Sequence, residues 1–539
     1  MQLSPSAHVD TFARDHLPPF ELWPEMVIDL PELHYPDRLN CATELLDAVI
    51  DAHGPDRPCL LSPTETWTYG ELRDRVGRIA NALVDDLGLV PGNRVLLRGP
   101  NNPDLVACWF AVLRAGGVVV TTMPLLRAGE LRTIGEMAEI SLALCDNRFV
   151  DDLTKAGLDG MRTVTYGSGD GELDNLAAAA DATFEPVETA ADDVALLAFT
   201  SGTTGQPKAT MHFHRDVLAI ADTFSAHVLK PTQDDVFTGT PPLAFTFGLG
   251  GLVIFPLRAG ASTLLIEKAT PDELADLVAK HRVSVMFTAP TAYRAILPRV
   301  SELDLSALRR CVSAGEALPK ATWEAFHDAT GIRIIDGIGA TEMLHIFISA
   351  ADDDMRPGST GKPVPGFRAT VLDEEGAPVA DGEVGRLAVK GPVGCRYLAD
   401  DRQRVYVQNG WNITGDSYLR DSDGYFWFQA RSDDMIISSG YNIAGPEVEG
   451  ALITHPDVLE CAVVGVPDAE RSMLVTAYVV LRDGVERGDA TARALQDFVK
   501  GEIAPYKYPR RVVFVDELPR TNTGKLQRFR LREDPAATT

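Results

Sequence analysis

The sequence predicts an α/β protein. Its large N-terminal part is made of largely parallel sheets flanked by helices plus a small β-barrel-like unit, and a smaller α+β unit forms the C-terminus. Three observations predict this. Apolar strand-like runs alternate with helix-spaced segments from Thr68 to Gly337. Between Phe367 and Gly391 that rhythm gives way to short β-runs parted by turns. After Arg431 a mixed segment of about a hundred residues has the size of one compact domain.

Taken in order, Leu72, Val76, Ile79, Ala80, Leu83 and Val84 recur every three to four residues and predict a helix across Thr68–Leu87, followed by a strand at Arg94–Arg98. The most apolar stretch, Val106–Leu126, is interrupted by Arg114, Gly116 and Gly117, so it reads as a buried helix, turn and strand rather than a membrane span. A strand at Val194–Thr200, helices at Asp216–Val228 and Pro271–His281, and a strand at Val283–Thr288 follow. Next come a helix from Thr291, a strand at Arg310–Ser313, a helix at Pro319–Thr330 and a strand at Arg333–Gly337. Strands separated by helices imply parallel sheets with helices on their faces. Ala369–Asp373 and Gly385–Lys390 are β-runs parted by Glu374-Glu375-Gly376 and Asp381-Gly382 turns. In the C-terminal segment, helices are expected at Pro446–Ile453 and Thr491–Glu502, with strands at Cys461–Val466, Thr476–Leu481 and Arg511–Val515.

Length and composition narrow the function. At ~150 residues per compact unit, 539 residues suggest three or four units in a multi-domain enzyme. A formal charge of −27 argues against sequence-independent binding to nucleic acid, which depends on neutralising phosphates with Lys and Arg. Any anionic substrate must therefore meet local positive charge. The stretch Met1–Met26 lacks a basic segment followed by an apolar one, so no signal peptide is expected and the protein is assigned to the cytoplasm. Seven scattered cysteines without a CxxC pair suggest neither a disulfide framework nor a zinc site.

The run Phe199-Thr200-Ser201-Gly202-Thr203-Thr204-Gly205-Gln206-Pro207-Lys208 reads as a phosphate-handling loop. Its glycines allow close backbone approach to an anion, its hydroxyls are rotatable donors, and Lys208 supplies a point charge. The spacing Gly-x-x-Gly-x-x-Lys followed by Ala209 does not meet the Walker pattern, so a different ATP chemistry is indicated. Four distant segments suit the rest of a nucleotide. In Gly337-Ile338-Gly339-Ala340-Thr341-Glu342, Glu342 suits Mg²⁺ and Thr341 a phosphate oxygen. Asp416 offers a carboxylate to ribose hydroxyls, Arg431 can pair with ribose or phosphate, and Pro519–Lys525 sets a lysine on a Gly-containing turn. Each has a plainer reading alone: a turn cap for Asp416, a solvated charge for Arg431, a helix cap for Glu342 and a tail lysine for Lys525. Their co-occurrence in this order carries the argument.

With these motifs in view, the chain resembles, over nearly its whole length, the adenylate-forming superfamily of acyl-CoA synthetases, peptide-synthetase adenylation domains and firefly-type luciferases. Within it, Pro18–Leu33, Thr288-Ala289-Pro290-Thr291-Ala292-Tyr293-Arg294, Gly339–Ser349 and Arg431–Glu449 look most like the benzoate and 2-aminobenzoate CoA ligases. The resemblance implies that Thr200, Ser201, Gly202, Thr203, Thr204, Gly205 and Lys208 grip the pyrophosphate end of ATP, with Lys208 secondary to Lys525 for the chemistry. It puts Asp336 and Gly337 among the nucleotide-binding positions, Mg²⁺ on Glu342, and the ribose on Asp416 and Arg431. Lys525 would bridge the substrate carboxylate and the α-phosphate, with Thr341 and Glu342 completing the catalytic set. Asp433 matches the family hinge, which divides the chain into an AMP-binding domain at 1–432 and a mobile domain at 433–539. Gly440 and Tyr441 would swing in to line the channel for coenzyme A.

For the acid, the resemblance sets Phe245 at an aromatic gate, with Phe247, Gly248, Ala289, Tyr293, Ile338 and Gly339 forming a flat apolar slot for an aryl ring. Thr246 stands where an amino-acid-activating domain usually carries an aspartate, which disfavours amino acids. His345 can face a ring substituent, although beside Leu344 and Ile346 the plainer reading is a satisfied structural histidine. The expectation is an AMP-forming aryl-CoA ligase using ATP, Mg²⁺ and coenzyme A on 2-aminobenzoate, with benzoate and salicylate close behind. Its partners would be these small molecules, not nucleic acid or membrane, and a homodimer is compatible with it. The rival readings are a stand-alone aryl-acid adenylating enzyme that loads a carrier protein, a luciferase-like oxygenase, and a nucleotide-binding regulator without turnover. Lys507, Arg510 and Arg511 could meet the phosphates of coenzyme A, or simply be solvent-facing charge.

Overall fold

The alternation of strands and helices resolves into two mainly parallel sheets with a helical layer between them. The computed structural model describes residues 3–167, 169–201, 207–431, 434–438, 441–468, 471–503, 505–520 and 526–533, with backbone alone at 201, 431, 437, 441, 442, 472 and 505. Among the described residues, one six-stranded sheet runs in the order Arg162–Tyr166, Leu142–Asp146, Arg94–Arg98, Val118–Thr122, Val194–Ser201, Pro207–Phe213. It is parallel except for the last strand. The core of the nine-stranded sheet is parallel, from Ile334–Gly339 through Arg310–Ser313, Val285–Thr288, Val236–Gly239 and Ser262–Leu264 to Pro58–Leu61, with antiparallel strands at both edges.

Local sequence explains the helices. Thr68 and Glu71 form a reciprocal capping box that starts the helix Tyr69–Asn81, and Thr270 with Glu273 does the same for Pro271–Lys280. The expected helices at Thr68–Leu87 and Asp216–Val228 both change winding partway. Tyr69–Asn81 continues as a π-helical Ala82–Asp86, and His214–Ile220 continues as Ala221–Leu229. A π turn adds a residue and re-aims the side chains beyond it, which a fixed 3.6-residue spacing does not anticipate. Pro103–Arg114 is buried on almost every side, its apolar run closed by Asp104 and Arg114, which pair with Arg75 and Asp47, and the φ of +75° at Gly116 turns the chain back into Val118–Thr122.

The β-runs after Phe367 form an antiparallel five-stranded sheet of Arg368–Leu372, Val384–Lys390, Trp411–Arg420, Val407–Gln408 and Phe426–Arg431. The C-terminal sheet contains Tyr441–Ile443, Ile436–Ser438, Ser472–Leu481, Val458–Asp468 and Arg511–Phe514. Its core packs beneath the helices Gly445–Leu452 and Asp489–Glu502. No helix among the described residues is long and apolar enough to cross a membrane.

One buried ion pair joins the five-stranded unit to the six-stranded sheet. Arg396 and Asp216 are both fully buried, 2.7 Å apart, and the same carboxylate oxygen accepts the Phe213 N–H at 3.0 Å. The guanidinium lies 4.1 Å from the Phe213 ring centre and 4.9 Å from that of Trp23. On either side of it, Met211 N–H donates to the Arg396 carbonyl and Leu398 N–H to the Ala209 carbonyl, adding a strand-like segment to Pro207–Phe213. Removing one member of such a pair leaves an uncompensated buried charge. Arg396→Leu should cost about 3–5 kcal/mol of stability in urea unfolding, and Arg396→Leu combined with Asp216→Leu should cost less than the two single changes added together. Strict additivity would show that the pair is not coupled.

Candidate active site

The parallel strands of the nine-stranded sheet share one direction, so the segments leaving their carboxyl ends gather at one edge. Strand Val236–Gly239 leads into Pro241–Phe247, Val285–Thr288 into Ala289, Arg310–Ser313 into Gly315 and Glu316, and Ile334–Gly339 into Thr341 and Glu342. The other sheet contributes a hairpin. Val194–Ser201 pairs antiparallel with Pro207–Phe213, placing Thr200 opposite Lys208 and Ser201 opposite Pro207. The phosphate loop therefore springs from two paired strands, whereas only the first was expected as a strand. Gly202, Thr203, Thr204 and Gly205 lie outside the described residues, as does the side chain of Ser201.

Lys208 reaches across to Glu342, with Nζ 2.7 Å from Oε1. Tyr397 completes a three-membered cluster: its hydroxyl donates to the same Oε1 at 2.5 Å and accepts a hydrogen bond from Lys208 Nζ. Lys208 also sits 4.6 Å and 5.3 Å from the ring centres of Tyr397 and Tyr406. Burial pushes the Glu342 carboxyl up, but the Lys208 charge and the hydrogen bonds from Lys208 and Tyr397 outweigh it and hold the group below its ordinary range. Glu342 is thus an ionised, buried oxygen donor of a kind that suits Mg²⁺. The turn Thr341–Met343 is pinned from below, where His212 Nε2–H donates to the Thr341 carbonyl at 2.8 Å. Burial drops the His212 pKa to about 4, against the opposing charge of Asp216, so the ring stays neutral.

Several polar atoms at this edge have no hydrogen-bond partner among the described residues. They include Thr200 Oγ1, Ser313 Oγ and Asp336 Oδ1, and Ser313 and Asp336 are register partners on adjacent strands. Burial pushes the Asp336 carboxyl up to about 8 against the pull of the Gly337 N–H. Asp416 stands directly opposite Arg431 in the five-stranded sheet, so the two residues expected at the ribose are cross-strand neighbours. The Arg431 side chain lies outside the described residues. Burial and the Asp416 charge, with a weaker contribution from Asp336, raise the pKa of Tyr418 between them, and the Tyr418 hydroxyl is 3.2 Å from Thr360 Oγ1.

Beyond Glu342, a turn with Leu344 at φ +64° directs His345 inward, where His345 N–H donates to the Met343 carbonyl at 2.8 Å. The imidazole is enclosed by Phe224, Phe247, Phe255 and Phe287, with ring centres at 5.4, 5.6, 4.5 and 6.4 Å. Burial holds the ring neutral, with its pKa lowered to about 3 against the opposing pull of the Phe247 backbone. Any Cβ at Gly250 would collide with the His345 ring, and one at Gly339 would meet the His345 backbone at 2.8 Å. Ile338 packs against the same large core, Ala289 stands at the N-terminal end of the helix Pro290–Ile296, and Phe245 and Gly248 lie at and within Thr246–Leu249. The structure does not bring Tyr293 here. It packs on the other face of the sheet against Phe326, and its hydroxyl donates to the Met286 and Val312 carbonyls at 3.0 and 2.9 Å.

Lys525, Asp433 and Gly440 lie outside the described residues, and Tyr441 is described by its backbone, opposite Ser438 in a hairpin. Their surroundings are visible. Arg520 spans the two domains, 3.3 Å from Glu316 and 3.2 Å from Glu460, and bridges Leu526 through the backbone. Arg294 Nη2–H donates to the Val458 carbonyl at 3.4 Å. Arg528 and Arg532, just past the lysine motif, bind Glu449 and Asp434, the latter adjacent to the expected hinge. Lys507 is held by Glu447 at 2.5 and 2.6 Å, and Arg510 by the Tyr508 hydroxyl at 2.7 Å, so both are engaged within the C-terminal domain. The residues the sequence did not single out are Tyr397, Tyr406, Arg396, Ser313 and Glu316. A signal existed only for His212, which falls in the polar, His-containing stretch after the loop.

Comparison with known proteins accords with this arrangement. Residues 47–397 match the AMP-binding enzyme family, and residues 447–525 match the AMP-binding enzyme C-terminal domain. A benzoate–CoA ligase from Thauera aromatica is 35% identical over 515 residues, covering 93% of this chain and 97% of the relative. A crystal structure of the anthranilate CoA ligase AuaEII in complex with anthranoyl-AMP superposes with a TM-score of 0.90 at 34% identity, covering 95% of this chain and 100% of that one. A benzoate CoA ligase from Burkholderia xenovorans LB400 gives 0.84 at 34% identity, covering 92% and 100%. The chain belongs to the AMP-binding enzyme family, as an enzyme of its acid–thiol ligase, or acyl-CoA synthetase, type.

Proposed function

We propose that the protein is an AMP-forming aryl-CoA ligase that joins an aromatic carboxylic acid to coenzyme A, with 2-aminobenzoate its first substrate and benzoate and salicylate close behind. The observation that carries the aryl reading is the neutral His345 imidazole set among four phenylalanines a short step from Glu342. Aromatic walls suit a flat ring, and an ortho substituent can compete for a hydrogen bond with the imidazole. The similarity to benzoate and anthranilate CoA ligases supports both the aryl class and coenzyme A, rather than a carrier protein, as acceptor. The reaction is placed in the cytoplasm, with 1–432 forming the AMP-binding domain and 433–539 the mobile one.

A carboxylate is a poor electrophile, and transfer of AMP to it, with loss of pyrophosphate, makes its carbon open to attack. Thr200, whose hydroxyl has no partner among the described residues, and Lys208 would hold the pyrophosphate side, Asp336 and Gly337 would contribute to the nucleotide site, and Asp416 with Arg431 would hold the ribose. Mg²⁺ held by Glu342 would supply charge neutralisation at the phosphates. Lys525 would lie between two anions and offset their repulsion as the carboxylate attacks phosphorus. Thiol attack then needs a different shell, which rotation at Asp433 would supply by exchanging the Lys525 face for that of Gly440 and Tyr441.

Two experiments test this. Lys525→Ala should lower acid-dependent pyrophosphate release about 10²–10³-fold while leaving thioester formation from supplied acyl-adenylate largely intact. Equal loss of both steps would defeat the division of labour. In a panel of aryl, fatty and amino acids assayed for ATP- and CoA-dependent thioester formation, 2-aminobenzoate should lead. His345→Leu should lower kcat/KM for 2-aminobenzoate roughly tenfold more than for benzoate, the size of one lost hydrogen bond. Preference for a fatty acid over every aryl acid would overturn the substrate assignment.

A further inference from the structure

We propose that Tyr397 is a positioning residue, whose hydroxyl holds the phosphate-side ammonium of Lys208 and the carboxylate of Glu342 in one fixed geometry, ready to receive Mg·ATP. The inference rests on the proposed ATP chemistry of this site. Tyr397 is 1% exposed, and its hydroxyl accepts from Lys208 Nζ while donating to Glu342 Oε1 at 2.5 Å. Lys208 Nζ is 2.7 Å from that same oxygen, so three groups close a ring around one proton donor. The two charged groups come from different sheets. Lys208 lies on the hairpin strand of the six-stranded sheet, and Glu342 on the turn after Ile334–Gly339 of the nine-stranded one.

The backbone of Tyr397 is set by contacts other than those to the Lys208 and Glu342 side chains. Its N–H donates to Gln403 Oε1 at 2.9 Å, it bridges Thr210 antiparallel, and the neighbouring Arg396 is anchored to Asp216. Gln403 itself donates to the Leu22 and Cys395 carbonyls at 2.8 and 3.1 Å. A hydroxyl delivered this rigidly bonds to both members of the direct Lys208–Glu342 pair, and so fixes where the pair sits and which way each group points. An incoming polyphosphate and its metal need those two groups, one each. Without the hydroxyl, the ammonium and the carboxylate would be free to shift together away from that position, and Mg·ATP binding would have to restore it.

The test uses the full-length protein and Tyr397→Phe, which keeps the ring beneath Lys208. Isothermal titration without acid substrate should show Mg·ATP binding weakened about tenfold, with ATP in EDTA weakened less. The half-saturating Mg²⁺ concentration and KM for ATP should rise together while kcat changes less than threefold. Unchanged Mg·ATP affinity and Mg²⁺ requirement would overturn the inference, and so would equal weakening of ATP with and without metal, which marks a general packing role. Should Tyr397→Phe fail to fold, Gln403→Leu, which loosens the Tyr397 backbone, must shift the same two binding curves in the same direction, or the inference falls. Absence of ATP binding by the wild-type protein would instead refute the proposed function itself.

Discussion

The buried pairing of Arg396 with Asp216 is the constraint on which the centre of the molecule depends. Neither charge has access to water, so the chain can tolerate them only where they meet. Meeting fixes the segment around Arg396 along the strand Pro207–Phe213, and that register puts Tyr397 beside Lys208. Trp23 from the N-terminal stretch covers the guanidinium, and Gln403 ties that stretch to Cys395. His212, on the same strand, reaches the Thr341 turn and so sets the height of Glu342. Two sheets and an antiparallel unit are thereby referenced to one point, through contacts between residues 129 to 381 positions apart in sequence.

Charge is distributed unevenly. The protein as a whole is strongly acidic, yet the hairpin edge offers a lysine whose ammonium is shared between one carboxylate and one phenol. Thr200, opposite it on the hairpin, has a hydroxyl without a partner among the described residues. Buried unpartnered polar atoms are destabilising, and those at the carboxyl ends of parallel strands stand where a polar ligand can complete them.

Much of this was legible in the sequence because period and punctuation carry local structure. Capping pairs such as Thr68 with Glu71 and the strand at Arg310–Ser313 could be read directly. The strand Pro207–Phe213 was not, since Lys208 and His212 break its apolar pattern, although both side chains turn out to serve the site. Lys208, Glu342, Asp416 and Arg431 were visible as residue types in motifs, and the structure brings them together in two neighbouring pairs. Tyr397 and Arg396 were invisible because their significance lies wholly in tertiary contacts. Tyr293 shows the converse: it shares a motif with Ala289, but its helix packs it onto the sheet face away from His345. Sequence proximity reveals which residues travel together, not which side of a sheet they face.

The bridge made by Arg520 has a thermodynamic meaning of its own. The contacts described between the C-terminal domain and the large domain include one guanidinium shared by two half-exposed carboxylates and one long bond to a carbonyl. Partly hydrated ion pairs of this kind are individually worth no more than about 1 kcal/mol and weaken as salt rises. If the C-terminal domain turns as the proposed mechanism requires, these particular links add little to the energy of the turn, and their share of it falls as ionic strength rises.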